Sequence, residues 1–336
     1  MRIVIDAMGG DFAPREIVRG AELAARDADC EIVLVGDREK IEAERSSQNG
    51  KASLVIEHTP EYITMDEQPS QALRTKKNAS MIVGLNMVRE GRAQAFISAG
   101  NTGALMEAAV LRVGRIKGVK RPAITTLWPS KKGTAILLDA GANSDSKPEY
   151  LVQFAKMGSL YGEIVLNWKR PRVGLLNIGK EESKGTAVIL EAFSQLKSSS
   201  LNFVGNVEPE DFLRGEVDVA VCDGFVGNLV LKTGEGVASL IFSLIKEELG
   251  SSLLTRAAAM LLVPAFRRIK KRMDSSEHGG ALLLGINGIC IKSHGKADFM
   301  TIRNAVGIAQ KTLQNGVIPA IVKQFQAPGE GESSGG

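Results

Sequence analysis

The chain is short of cysteine, aromatic residues and histidine, and it has no long uncharged apolar run. Each shortage removes a class of function. Cys30, Cys222 and Cys290 are odd in number, far apart and never in a C-x-x-C pair. Neither a disulfide framework nor a zinc ribbon is readable, and a reducing, cytoplasmic compartment is expected. Aromatic residues make up 5% of the chain, which argues against stacking platforms for single-stranded nucleic acid, so no nucleic-acid partner is expected. His58, His278 and His294 show no metal-ligand spacing, so no metal is expected. No G-x-x-x-x-G-K-[ST] occurs. The nearest approach to a dinucleotide fingerprint, Gly234-Glu235-Gly236, lacks its third glycine and a preceding strand, so no nucleotide cofactor is expected. No stretch supplies the ~18 uncharged apolar residues of a spanning helix, and Asp6 and Asp11 interrupt any secretory signal. A protein neither exported nor membrane-spanning is expected.

What remains is an ordinary soluble composition, 44% hydrophobic and 24% charged over 336 residues, enough for a large core. Glycine is abundant and carefully placed. The first stretch, M-R-I-V-I-D-A-M-G-G-D-F-A-P, reads as a strand, a glycine loop and a helix start opened by Pro14. Such a junction leaves backbone N–H groups at a helix N-terminus beside glycines, where an anion can approach.

The device recurs. Strands are expected at 31–36, 53–57, 94–98, 123–128, 134–138, 172–176, 201–204, 217–222, 282–284 and 289–291. Helical periodicity fills 71–90 with a break near Asn78, and it returns at 237–273 with a break at Gly250-Ser251-Ser252. Lys131-Lys132-Gly133 and Asn287-Gly288 signal hairpins. Ser146 and Glu149 read as a capping box for the next helix. The pattern predicts a three-layer α/β/α fold with a large mixed, mostly parallel sheet. One catalytic domain is expected over 1–328, with a protruding helical segment at about 237–273 and a low-complexity, disordered tail at 329–336.

Polar residues accompany the glycines at five strand ends: Asp11; Asn101 with Thr102; Asp139 with Asn143; Lys184; and Asp223 with Asn228. Ligands of open α/β sheets bind beyond the strand C-termini. The five loops are therefore expected to converge on one sheet edge as a phosphate-handling cleft. Among the histidines, His294 at a strand end is the best candidate for a role. Cys222 reads better as a buried thiol than as a nucleophile. The net charge of +4 comes from one block, Arg267, Arg268, Lys270, Lys271 and Arg272, beside an apolar stretch. That pairing suits either an anionic membrane surface or a dimer-interface helix.

The motifs D-A-M-G-G-D at 6–11, S-A-G-N-T-G-A-L-M at 98–106, D-A-G-A-N at 139–143, G-L-L-N-I-G at 174–179, C-D-G-F-V-G-N at 222–228, L-L-G-I-N-G at 283–288 and K-S-H-G at 292–295 run in order along the chain. Together they resemble the bacterial phosphate acyltransferases of phospholipid synthesis, the PlsX family. One departure is Phe12, where that family usually carries histidine. The resemblance implies a cytoplasmic homodimer with a fold like the isocitrate and isopropylmalate dehydrogenases, working without a cofactor. It implies transfer of a long-chain acyl group from acyl carrier protein to inorganic phosphate, giving acyl phosphate for a membrane glycerol-phosphate acyltransferase.

For that reaction the sequence offers Lys184, Asp11, Asp223, Asn228 and His294 as catalytic candidates, with Lys184 first for phosphate. Asp6, Gly9, Gly10, Gly100, Asn101, Thr102, Gly103, Asp139, Asn143, Gly179 and Gly224 are the candidates for binding. Peripheral membrane contact is expected through about Leu253 to Arg272. The rival readings are a phosphotransacetylase-like enzyme using acyl-coenzyme A, an oxidative decarboxylase of the same fold, and a non-catalytic membrane-binding protein.

Overall fold

The computed structural model describes residues 1–27, 29–45, 54–273 and 279–326. Ser53, His278 and the 329–336 tail lie outside the described residues. Among the described residues eleven strands form one sheet: β1 (Arg2–Asp6), β2 (Glu31–Gly36), β3 (Leu54–His58), β4 (Ala95–Ser98), β5 (Ala123–Ser130), β6 (Gly133–Leu138), β7 (Val173–Leu176), β8 (Phe203–Val207), β9 (Val219–Val221), β10 (Ala281–Leu284) and β11 (Ile289–Lys292). The helices in its first half are α1 (Arg15–Asp27), α2 (Arg38–Glu44), α3 (Pro69–Thr75), α4 (Ser80–Arg89), α5 (Thr102–Arg112) and α6 (Pro148–Val165). Those that follow are α7 (Ala187–Lys197), α8 (Pro209–Arg214), α9 (Gly224–Gly250), α10 (Leu253–Met273), α11 (Phe299–Gln314) and α12 (Val317–Gln326).

The strand order is β3-β2-β1-β4-β11-β10-β5-β6-β9-β7-β8. The five strands from β3 to β11 are parallel to one another, as are the four from β6 to β8. Three antiparallel pairings join these blocks: β11 with β10, β10 with β5, and β5 with β6. An odd number of reversals leaves the two blocks pointing in opposite directions. Their strand C-termini therefore lie at opposite edges of the sheet.

Strand side chains alternate between faces, and the core divides accordingly. On one face Ile3, Ile5, Ile97, Leu138, Leu282 and Val219 pack with α1, α6, α11 and α12. On the other face there are two separate clusters. Val4, Phe96, Ile124 and Cys290 pack with α4 and α5, whereas Ala135, Leu137 and Ala220 pack with Phe212 of α8 and with Val226 and Val230 of α9. The gap between these two clusters is the feature that positions the site.

Local signals hold where the chain itself satisfies them. The Lys131-Lys132 turn joins Ser130 to Gly133, and the 71–90 region breaks between α3 and α4 as expected. The Ser146–Glu149 capping box does not form. Helix α6 is N-capped by Lys147 without a side-chain bond, and Pro148, whose fixed φ suits the first turn, starts it; Ser146 Oγ is buried without a hydrogen-bond partner. Asn287-Gly288 likewise does not make a two-residue turn. The positive φ falls on Gly285, and Asn287 instead bonds Gly114 O and Arg115 O, tying the hairpin to the end of α5.

The largest correction is α9, which starts at Gly224 rather than near Val237. Asp223 caps it through Val226 N at 2.8 Å. Starting there, α9 is long and apolar enough by composition to cross a membrane, with a mean hydropathy of 1.3, contrary to the expectation that no such stretch exists. Its first turn is nevertheless locked onto the sheet, as follows.

Candidate active site

A cleft of about 1710 Å³ occupies the gap between the two clusters. Its floor is the face of β5 carrying Ile124, Thr126 and Trp128. One wall is the stripe Thr102, Met106, Val110 on α5, and the other is α9 from Asn228 to Ile241. The α5 residues recur at the helical period, which explains why one apolar face of that helix lines the space.

At one end of the cleft the loops after β1, β4 and β11 meet. Asp6 is buried beneath them and accepts hydrogen bonds from Ser80 Oγ at 2.6 Å, Ser98 Oγ at 2.8 Å and Met8 N at 3.2 Å. Burial raises its pKa, against these donors. Asp6 is thus a loop anchor, its oxygens taken up by protein donors. Gly9 fits because a Cβ would stand 2.6 Å from Asp6 Oδ2 and 2.8 Å from Gly100 N, while Gly100 N in turn bonds Ser98 Oγ. The loops are stitched by Asp11 N, which donates to Gly295 O at 2.7 Å. Asp11, Thr102, Gly103, His294 and Gly295 line the cleft here. His294 Nδ1 accepts from Lys296 N. Asn101 lies behind, its carbonyl capping Ala104 N and its amide holding Met65 O and Glu67 O. It shapes the helix start without offering a donor to a substrate.

The second group lies at the opposite sheet edge, around Asp139. This fully buried carboxylate accepts five hydrogen bonds, from the N–H groups of Ile124, Gly141, Ala142 and Asn143 and from Asn143 Nδ2, at 2.8–3.1 Å. Burial pushes its pKa up while the donors oppose it. With every lone-pair direction engaged, Asp139 organises the loop and has no capacity to bind phosphate or act as a base. Asn143 also spends its amide on Pro122 O. Gly141, Asn143 and Asn228 line the cleft, and Arg121 stands at the same end. Asp223 caps α9, and Gly224 N donates to Asn143 O at 2.7 Å.

The five loops therefore do not share one edge. The Asp11 and Asn101 loops serve one end of the cleft, and the Asp139 and Asp223 loops serve the other. Lys184, ranked first from sequence, is in the loop after β7 and does not line the cleft; its side chain is exposed and its carbonyl accepts from Asn177 Nδ2. Gly179 sits in that same loop, close against Glu181 and Lys184. Phe12 is exposed and also outside the cleft lining. Cys222 and Cys290 are buried, and burial lifts the thiol of Cys290 to about 12 and that of Cys222 well above its usual range, so neither supplies a thiolate.

A sequence model described as "Fatty acid synthesis protein" matches residues 1–320. A "Phosphate acyltransferase" of Moorella thermoacetica is 50% identical over 321 residues, covering 96% of this chain and 95% of the relative. One from Heliobacterium modesticaldum is 49% identical, covering 99% of both. This chain belongs to the phosphate acyltransferase family. The acyltransferase shares its fold with a phosphotransacetylase from Streptococcus pyogenes at a TM-score of 0.60, 16% identity and 94% coverage of each chain. A branched-chain phosphotransacylase from Enterococcus faecalis V583 aligns at 0.55 with 11% identity, covering 93% of this chain and all of that one. A 4-hydroxythreonine-4-phosphate dehydrogenase from Klebsiella pneumoniae aligns at 0.52 with 13% identity, covering 92% and 98%. At these identities the likeness is one of fold, and it matches the expected dehydrogenase-like architecture.

Two residues of the acyltransferase cleft were missed from sequence. Lys292 was read as part of a motif, not as a site, yet it ends β11 in the cleft wall beside the Asp11 loop. Trp128 was read as a strand residue, yet its ring lies against α9 at Gly234, where a Cβ would approach Trp128 Cζ2 to 2.6 Å. A lysine closing an apolar strand and a glycine mid-helix were the available signals.

Proposed function

We propose that this acyltransferase moves a long-chain acyl group from an acyl carrier protein thioester to inorganic phosphate, releasing acyl phosphate. The observation that carries the reading is the cleft itself: a long apolar trough lined by Met106, Val110, Ile124, Trp128, Leu229 and Val237, with polar loop groups gathered at its ends. An acyl chain fits the trough and a small anion fits an end. Phosphate near neutral pH is already ionised, so the site's task is to position and desolvate it beside the thioester carbonyl. The carbonyl develops an oxyanion as phosphate attacks, and fixed N–H donors at the glycine loops are of the type that stabilises it. Asp11 and His294 are among the side chains at that end able to steer a proton. Asn228 lines the other end of the trough, away from the carbonyl attacked here.

The test is phosphate-dependent thiol release by the purified protein, with carrier-protein and coenzyme A thioesters of the same acyl chain compared. Release that depends on phosphate and favours the carrier thioester is expected. No phosphate-dependent release from either thioester would sink the assignment, and preference for coenzyme A would make this a phosphotransacetylase-like enzyme.

The same reading places the protein in the cytoplasm as a homodimer, handing its product to a membrane glycerol-phosphate acyltransferase. The α9–α10 pair suits peripheral contact with an anionic membrane: Leu240, Leu244, Met260, Leu261 and Leu262 are exposed, and Arg268 follows them. The side chains of Leu253, Leu254, Arg267 and residues 270–273 lie outside the described residues. Flotation with liposomes rich in anionic lipid, and none with neutral liposomes, is expected. Absence of flotation in both would assign the exposed face to the dimer.

A further inference from the structure

Lys292 stands apart from the other cations of the cleft. Arg121, Lys131, Lys232 and Lys296 also line it, but their side chains are exposed, whereas Lys292 is half-buried at the end of β11. Its Nζ donates to Ala99 O at 3.4 Å and to Ser293 O, so two of its three N–H groups fix the amine between the β4 and β11 loops. The Asp11 loop closes over the same point, with Asp11 N on Gly295 O and a Gly10 Cβ position only 3.0 Å from Ala99 Cβ. An ammonium held by neutral carbonyls in a partly desolvated wall is an anion site whose attraction is little screened.

We propose that Lys292, resting on the function proposed above, is a catalytic residue that holds the phosphate nucleophile and relays its proton to the departing sulfur. A phosphate oxygen bonds to the thioester carbonyl carbon and the C–S bond breaks. The sulfur leaves with the bonding electron pair. The Lys292 ammonium gives that thiolate a proton and recovers one from the phosphate hydroxyl, so hydrogenphosphate and thioester become acyl phosphate and thiol with no other reactant. Desolvation lowers the Lys292 pKa to about 8, with Cys290, Asp11 and Asp6 opposing, which makes a proton exchange near neutral pH facile. The titratable groups that act on the amine are Asp6, Asp11 and Cys290, and Glu107, His294 and Lys296 line the same cleft.

The experiment measures thiol release against phosphate concentration and pH for the full chain, for Lys292→Met and for Lys292→Arg, with thermal unfolding as a check on the fold. Lys292→Met should raise the phosphate KM at least ~10-fold and lower kcat about 100-fold, leaving the thioester KM unchanged. The unsubstituted protein should lose phosphate affinity as pH rises through about 8, because the amine then loses its charge. Lys292→Arg should recover phosphate affinity and remove that alkaline loss, since guanidinium does not titrate there, without recovering kcat. A Lys292→Met protein with phosphate KM and kcat within twofold of the unsubstituted chain overturns the proposal. So does a phosphate defect found in Lys184→Ala instead. Calorimetry with inorganic phosphate separates this from failure of the overall reading. Phosphate binding that Lys292→Met abolishes supports the site even without thioester turnover, and no phosphate binding by the unsubstituted chain overturns it.

Discussion

Replacing Asp139 by alanine is expected to destabilise the protein by about 3–5 kcal/mol, read as a shift in the urea unfolding midpoint. The reason is the number of donors that depend on one group. Four backbone N–H groups and the Asn143 amide converge on the two carboxylate oxygens, and the carboxylate has no solvent exposure. Removing the acceptor strands several donors where water has no access, and each stranded donor costs about 1–3 kcal/mol before relaxation. Asp139→Asn should cost less, because its carbonyl oxygen can keep the three bonds made to Oδ1 while its NH₂ faces the donors of Asn143. A midpoint shift worth under 1 kcal/mol for Asp139→Ala would mean that the loop has another anchor.

Gly227→Ala is expected to cost about 3 kcal/mol and to reduce turnover more than tenfold. A Cβ at this position would stand 1.8 Å from the Asp139 carbonyl oxygen and 3.1 Å from Cys222 Sγ. Backbone is the obstacle, so the first turn of α9 must lift off the sheet, and core overpacking of this kind costs about 1–3 kcal/mol or more. Asn228, the next residue, would move with it in the cleft wall. Gly236→Ala in the same helix provides the contrast, since a Cβ there meets nothing within 4 Å. That substitution should stabilise by up to ~1 kcal/mol through helix propensity. Equal unfolding midpoints for the two variants would refute the close-packing account.

Gly224 and Gly227, whose Cβ positions would meet the backbone of Asn143 and Asp139, show why part of the site is illegible in sequence. In C-D-G-F-V-G-N the glycines suggest a loop, because glycine is poor in helices and good in turns. Here they permit a helix to lie against backbone, a requirement set by another segment of the chain. The polar loop residues look alike in sequence, yet their surroundings divide them. Asp6, Asp139 and Asn101 turn inward to satisfy backbone groups, while Asp11, Thr102, Asn228 and His294 face the cleft. Sequence shows a polar residue beside glycine; which way it turns depends on what packs beneath it. Lys292 was hidden for the same reason, as its importance arises from Ala99 and Asp11, distant in sequence.

The alternation of apolar runs with helical stretches determined the elements. Each expected strand is present, because period and turn chemistry are local properties that the chain carries wherever it folds. The two hairpins were local as well. What only the tertiary structure decided was one long-range pairing, β10 antiparallel to β5, with Leu282 opposite Thr125 and Leu284 opposite Ala123. Had β10 lain parallel to β5, the two hairpins would have cancelled and all the loops would share an edge. The third reversal turns the second block over, sends the Asp139 and Asp223 loops to the far edge and opens the cleft across the sheet between α5 and α9. Side-chain contacts between strands more than 150 residues apart set that choice, and no local pattern encodes it.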